Sequence, residues 1–115
     1  MLVLLMSLTA CGPNCQSTCQ RLYGEGAQTV NGEQLEDCGI QRAGRDANDL
    51  IGTCMDNCEG AIDEPGETGP YNPYERTGSS ESVDLENERQ AAVWMQCISE
   101  TSCDRLTEGY CAPVW

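Results

Sequence analysis

The chain has 115 residues, which suggests a single domain, and its apolar content is thin because Phe is absent and aromatic residues make up only 5%. Its 19 acidic residues outweigh six Arg, with no Lys and no His, so the net charge is −13. Such a surface repels nucleic acid, and the lack of His and Lys excludes His-activated nucleophiles and Schiff-base amines. We therefore expect no catalysis, no cofactor, no metal and no nucleic-acid partner.

The first ten residues form an uncharged apolar run. It is far shorter than the roughly 20 residues that a membrane-spanning helix needs, and it is typical of the apolar part of a short secretory signal. The usual basic residues before that part are missing, so we expect the true start to lie upstream. The run ends in Leu8-Thr9-Ala10-Cys11, which resembles the lipobox of bacterial lipoproteins.

In the lipoprotein family, an aliphatic residue stands three positions before a cysteine whose thiol takes a diacylglyceryl group. The signal is then cut just before that cysteine. The resemblance implies a signal peptide at 1–10 and a mature chain that begins at a lipidated Cys11. Gly12 follows, where an Asp would favour retention in the inner membrane, so the implied address is the outer membrane, facing the periplasm or the cell surface. The alternative is a buried N-terminal segment with a structural Cys11.

The cysteine count agrees with this interpretation. Nine is an odd number, so nine cysteines cannot all pair within one secreted chain. Without Cys11, eight remain, and these can close four disulfides with none left over. Such dense cysteine usage indicates an oxidising compartment, and a domain with so thin a core needs covalent cross-links.

Helical periodicity and capping residues predict three helices, at 13–23, 46–62 and 82–100. We place Trp94 on the flank of the third helix. The chain ends in an apolar segment that is expected to pack as a plug.

Two segments between the helices are less regular. In the first, Asn31-Gly32 indicates a turn, and a short helix is expected over 33–38. The second, 63–81, holds three of the five prolines and is predicted to be an exposed loop, held to the body by Tyr71 and Tyr74.

Two CxxxC motifs, Cys15–Cys19 and Cys54–Cys58, fall within the first two long helices. Residues four apart share one helix face, so an antiparallel pair of helices brings the thiols together as two rungs, Cys15–Cys58 and Cys19–Cys54. This geometry resembles the twin CxxxC hairpin of small mitochondrial intermembrane chaperones, although there the motifs lie much closer in sequence. Zinc and redox sites instead favour CxxC.

The expected fold is therefore mainly α: a single small disulfide-stapled domain over 11–115, with a twin CxxxC helical hairpin, a third helix and long irregular loops. Eight cysteines allow 105 pairings, and sequence leaves the last two bridges open. Our expectation for them is Cys38–Cys97 and Cys103–Cys111.

Other residue groups have weaker functional interpretations. Acidic side chains suggest a calcium site or a small carboxylate-dependent enzyme, but spacing matches no EF-hand and charge runs are usually solvated. They are Asp56, Glu59, Asp63, Glu64 and Glu67, and a second set of Glu75, Glu81, Asp84, Glu86 and Glu88. An aromatic binding face is a further alternative, but the sequence favours scarce core and loop anchors as the role of its five members, Trp94, Trp115, Tyr71, Tyr74 and Tyr110.

The function that these observations favour is a non-catalytic binding or accessory module of the cell envelope. It would be anchored to the membrane through the lipid on Cys11 and would recruit an envelope protein through its acidic surface or its Pro/Tyr loop. The alternative is a purely structural envelope component.

Overall fold

The computed structural model describes residues 13–30, 33–76 and 83–114. As predicted, the domain is mainly helical, and one small antiparallel hairpin accompanies the helices. The elements in chain order are α1 (Cys15–Tyr23), β1 (Ala27–Val30), β2 (Glu33–Glu36), α2 (Ala47–Ile62), α3 (Glu88–Glu100) and α4 (Cys103–Thr107).

Side-chain caps set where the helices begin. The Asn14 side chain accepts from the Ser17 N–H at 2.8 Å, and the Ser17 hydroxyl accepts from the Asn14 N–H at 3.0 Å, a reciprocal capping box. Asp46 caps α2 by accepting from the Asp49 N–H at 2.8 Å. Such caps satisfy backbone donors that have no partner inside the helix.

The third helix begins later than its periodicity indicates. Asn87 is its N-cap and accepts from the Gln90 N–H at 3.0 Å. The predicted start at residue 82 is therefore wrong, and Val83 and Leu85 lie before the helix. A cap that satisfies the first N–H groups decides the boundary over apolar spacing.

The short helix expected over 33–38 is also wrong. Glu33–Glu36 is a strand that pairs antiparallel with Ala27–Val30, and Val30 stands opposite Glu33. Asn31-Gly32, which the sequence indicates as a turn, lies between the two strands and outside the described residues. Asn-Gly is a dipeptide that favours two-residue hairpin connections.

The three long helices form a bundle with two distinct ends. Bridges between α1 and α2 make them antiparallel. The Glu88 N–H donates to the Glu64 carbonyl at 2.8 Å, so α3 begins beside the end of α2 and runs back along it. We call one end the Asn14 end, where α1 begins, and the other the Thr101 end, where α1 and α3 finish and α4 starts.

Trp94 lies in the centre of the core instead of on its flank. Its side chain is fully buried, and its indole N–H donates to the Pro113 carbonyl at 2.9 Å. The predicted C-terminal plug is confirmed for Pro113, which is buried, and Val114, which is half-buried; Trp115 lies outside the described residues. A scarce aromatic side chain contributes most where its whole surface is removed from water.

All eight cysteines of the described residues are paired. The two predicted rungs, Cys15–Cys58 and Cys19–Cys54, are confirmed. The remaining bridges are Cys38–Cys103 and Cys97–Cys111, so both expected pairings of these four are wrong.

The error in the last two bridges has a structural cause. After α4 the chain turns back along the 63–76 loop, where the Cys111 N–H donates to the Pro73 carbonyl at 2.7 Å. This return brings Cys111 to Cys97 on α3 and leaves Cys103, at the start of α4, beside the segment that follows β2. Proximity in sequence is therefore a poor guide to these pairings.

Candidate binding site at the Thr101 end

A cavity of about 410 Å³ opens at the Thr101 end, between the 63–76 loop, the last turn of α3 and α4. We call it the distal pocket. Its walls combine aromatic rings with side chains of both charges, and it is lined by Tyr74, Cys97, Glu100, Thr101, Ser102, Arg105 and Tyr110.

Tyr74 forms one wall of the distal pocket. Its side chain is 49% exposed, and its hydroxyl donates to a Glu100 carboxylate oxygen at 3.2 Å. Partial burial raises the pKa of Tyr74 above its ordinary value. The hydrogen bond to Glu100 and the negative charge of Glu100 raise it further. The phenol therefore stays neutral at physiological pH and presents a flat apolar face beside a carboxylate.

Arg105 and Tyr110 form the opposite wall. The Arg105 guanidinium carbon lies 5.4 Å from the centroid of the Tyr110 ring, which is the geometry of a cation–π contact. This contact orients a planar cationic donor on an exposed helix. The pocket thus offers hydrogen-bond donors, an acceptor and aromatic faces to one ligand group.

Cys97, which lines the pocket, is bridged to Cys111, and we call this bridge the floor of the pocket. The Thr101 hydroxyl lies 3.3 Å from the Cys111 sulfur, and the Pro73 carbonyl lies 3.5 Å from the Cys97 sulfur. Both cysteines are buried, so the floor holds the loop, α3 and the C-terminal segment in fixed positions.

Sequence analysis missed Arg21, the residue that secures this end of the bundle. It is buried, and its guanidinium donates to the carbonyls of Ile98 at 3.0 Å, Thr101 at 2.6 Å and Glu36. Burial lowers the pKa of Arg21, and the charge of Asp37 opposes that shift. An Arg among helical polar residues normally indicates a solvent face, so nothing in the pattern revealed it.

The two tyrosines of the 63–76 loop do hold it to the body, as predicted. Tyr71 is half-buried and donates to the Ala112 carbonyl at 2.6 Å, while Tyr74 bonds to Glu100. Burial raises the pKa of Tyr71. Trp94 is buried, which confirms it as a core anchor and removes it from the alternative aromatic face, whereas Tyr74 and Tyr110 do line one pocket.

The acidic groups do not converge. The first set, which includes Asp56, Glu59 and Asp63, lies on exposed surface, and in the second set Glu81 lies outside the described residues. Across the described ranges, no group of three or more Cys, Asp or Glu side chains is arranged to hold a metal ion.

A second, shallower hollow of about 610 Å³ lies at the Asn14 end. Apolar Met55 and Ile62 share it with Glu59 and Asp63, and Ile62 is 42% exposed. The chain enters the described structure at this end. Leu8, Thr9, Ala10 and Cys11, which carry the lipobox resemblance, lie outside the described residues.

Comparison with protein-family models, with curated proteins and with solved structures finds no match. In the part of the chain that the structure describes, no helix is both long and apolar enough to cross a membrane.

Proposed function

We propose that this protein is a lipid-anchored binding module of the bacterial cell envelope, tethered through Cys11 and without catalytic activity. The observation that carries the proposal is the distribution of sulfur. The eight cysteines after Cys11 close four disulfides within one domain, so the ninth is the one available for a thioether. A framework of this density suits an oxidising compartment.

The position of the tether supports a defined orientation at the membrane. Only Gly12 and Pro13 separate Cys11 from Asn14, so the Cα atom of the lipidated residue is within about 10 Å of Asn14, even along an extended chain. The Asn14 end would then face the bilayer. The distal pocket, at the opposite end of helices such as the 16-residue α2, would stand about 25 Å away from it.

This orientation places the pocket where an envelope protein can reach it. The strongly acidic surface, with a net charge of −13, disfavours flat contact with anionic lipid head groups and keeps the rest of the domain in the aqueous phase. Tyr74, Arg105 and Tyr110 are the residue types that dominate the binding energy of protein interfaces. The distal pocket is therefore the surface that we assign to the partner.

Intact-mass measurement of the protein from the membrane fraction tests the anchor. We expect a mature chain that begins at Cys11 and carries diacylglyceryl and acyl groups, together with eight further cysteines that alkylate only after reduction. The Cys11→Ser variant should lose the lipid and leave the membrane fraction. An unmodified chain that retains Met1 in the membrane fraction would contradict the proposal.

Affinity capture with the membrane-extracted protein tests the binding role. The amount of partner captured should fall at least tenfold in Arg105→Ala, because that change removes the arginine that lines the pocket. The matched control is Arg89→Ala, an exposed arginine on α3 that does not line the pocket. Equal capture by all three proteins would remove the pocket from the proposal.

A further inference from the structure

One disulfide differs from the other three in its exposure. Cys38 and Cys103 are both half-buried, whereas no other bridged cysteine is more than 6% exposed. Thiol–disulfide exchange requires a thiolate to reach a sulfur atom in line with the bond that breaks. Under native conditions, the Cys38–Cys103 bridge is the one open to such an approach.

The charge beside this bridge favours its cleavage. An Arg21 guanidinium nitrogen lies 3.9 Å from the Cys103 sulfur. A neighbouring cation stabilises a cysteine thiolate, and a more stable thiolate is a better leaving group. Cys103 is therefore the sulfur that leaves most readily when Cys38 is attacked.

The fold around the bridge is held by other contacts when the bond opens. The Cys38 N–H donates to the Arg21 carbonyl at 2.6 Å, and the Ile40 N–H donates to the Leu22 carbonyl at 2.9 Å. On the other side, Leu106 of α4 is buried in the core. Both partners are thus fixed by non-covalent contacts, so opening this bond does not require unfolding of the bundle.

We propose that Cys38–Cys103 is a thiol–disulfide exchange site. The thiolate of a partner attacks the Cys38 sulfur and forms a mixed disulfide, while the Cys38–Cys103 bond breaks and its electron pair leaves on Cys103. A second partner thiolate attacks the partner sulfur of that mixed disulfide and displaces the Cys38 thiolate. The domain gains two electrons and, after protonation, two thiols, and the partner dithiol becomes a disulfide.

The site adjoins the distal pocket. Ser102 directly precedes Cys103, Arg105 follows it by two positions, and both line that pocket. Opening the bridge removes the covalent link between α4 and the segment that follows β2, so the Cys97–Cys111 bridge is then the remaining disulfide near the Arg105 wall. The exchange site does not depend on the lipid anchor, but its effect on binding rests on the function proposed above.

Differential alkylation of the full chain tests the exchange site. Any free thiol is first blocked with N-ethylmaleimide. The protein is then treated under native conditions with reduced glutathione or reduced thioredoxin, quenched with iodoacetamide and mapped by peptide mass spectrometry. We expect a species labelled only at Cys38 and Cys103, formed at least tenfold faster than labelling at any other cysteine. The two arms distinguish a small thiol from a protein dithiol as the attacking group.

Two paired variants make the result specific. Cys38→Ser/Cys103→Ser should lose the fast phase and leave its other six bridged cysteines unlabelled, whereas Cys97→Ser/Cys111→Ser should keep the fast phase. Simultaneous labelling of all eight cysteines, or first labelling at another bridge in both arms, would overturn the proposal.

The role of Arg21 has its own readout. Arg21→Met should slow the fast phase about tenfold, and Arg21→Lys should restore most of the rate because it keeps a cation near Cys103. The rate of labelling at Cys19 in the same samples reports global unfolding. If Arg21 only stabilised the fold, Arg21→Met would change that rate as well. An unchanged fast phase in Arg21→Met would exclude the electrostatic role.

Discussion

The two halves of the disulfide framework are built on different principles. The Cys15–Cys58 and Cys19–Cys54 rungs join two helices, and their pairing follows from the four-residue spacing within each helix. The Cys38–Cys103 and Cys97–Cys111 bridges join loops and helix ends that are brought together by the path of the whole chain. Local periodicity determines the first pair, and only tertiary structure determines the second.

The same division separates what sequence predicts from what it does not. The helical period of α2 and the twin CxxxC spacing are local signals, and both were confirmed. The start of α3 was missed because the Asn87 cap outweighed apolar spacing. The hairpin was missed because its pairing joins two separate segments, Ala27–Val30 and Glu33–Glu36.

The distal pocket is built from contacts between residues that lie far apart in the sequence. Its walls come from the 63–76 loop, α3 and α4, and no fixed spacing relates Tyr74 to Glu100 or Arg21 to Ile98. Tyr74 and Tyr110 were named as members of a possible aromatic face, but their neighbours Glu100 and Arg105 were not, and Arg21 was not identified at all. Contacts of high sequence separation leave no period in the sequence.

The largest effect is expected from removing both rungs. Replacing Cys15, Cys19, Cys54 and Cys58 by Ser should lower the free energy of unfolding by about 7 kcal/mol, by the loop-closure entropy of the unfolded chain. This loss is comparable to the entire free energy of unfolding of a small domain. Circular dichroism should therefore show loss of helix at 25 °C.

Removing one rung should cost much less, because the rungs are nested. With Cys15–Cys58 in place, Cys19→Ser/Cys54→Ser reopens a loop of only about ten residues, so the expected loss is about 3 kcal/mol. Urea denaturation measures both values. The single change Cys19→Ser should also lower the yield of folded protein, because it orphans Cys54. Equal losses for the one-rung and two-rung variants would contradict the nested arrangement.

A smaller effect is expected in the half that is built on tertiary contacts. Trp94→Phe removes the indole N–H that satisfies the Pro113 carbonyl and leaves a gap in the core, so the unfolding free energy should fall by about 2 kcal/mol. Tyr74→Phe is the matched control, since it removes a hydrogen bond from an exposed ring and should change stability by less than about 0.5 kcal/mol. A Trp94→Phe protein as stable as the control would show that the C-terminal segment adds nothing to the core.

The 65-residue separation between Cys38 and Cys103 has a consequence for biogenesis. A nascent chain delivers its cysteines from the N-terminus, and Cys38 arrives beside Cys15 and Cys19 long before Cys103 has been synthesised. None of these three is a native partner of another. A disulfide formed early between any two of them is therefore non-native and has to be broken before the four native bridges can form.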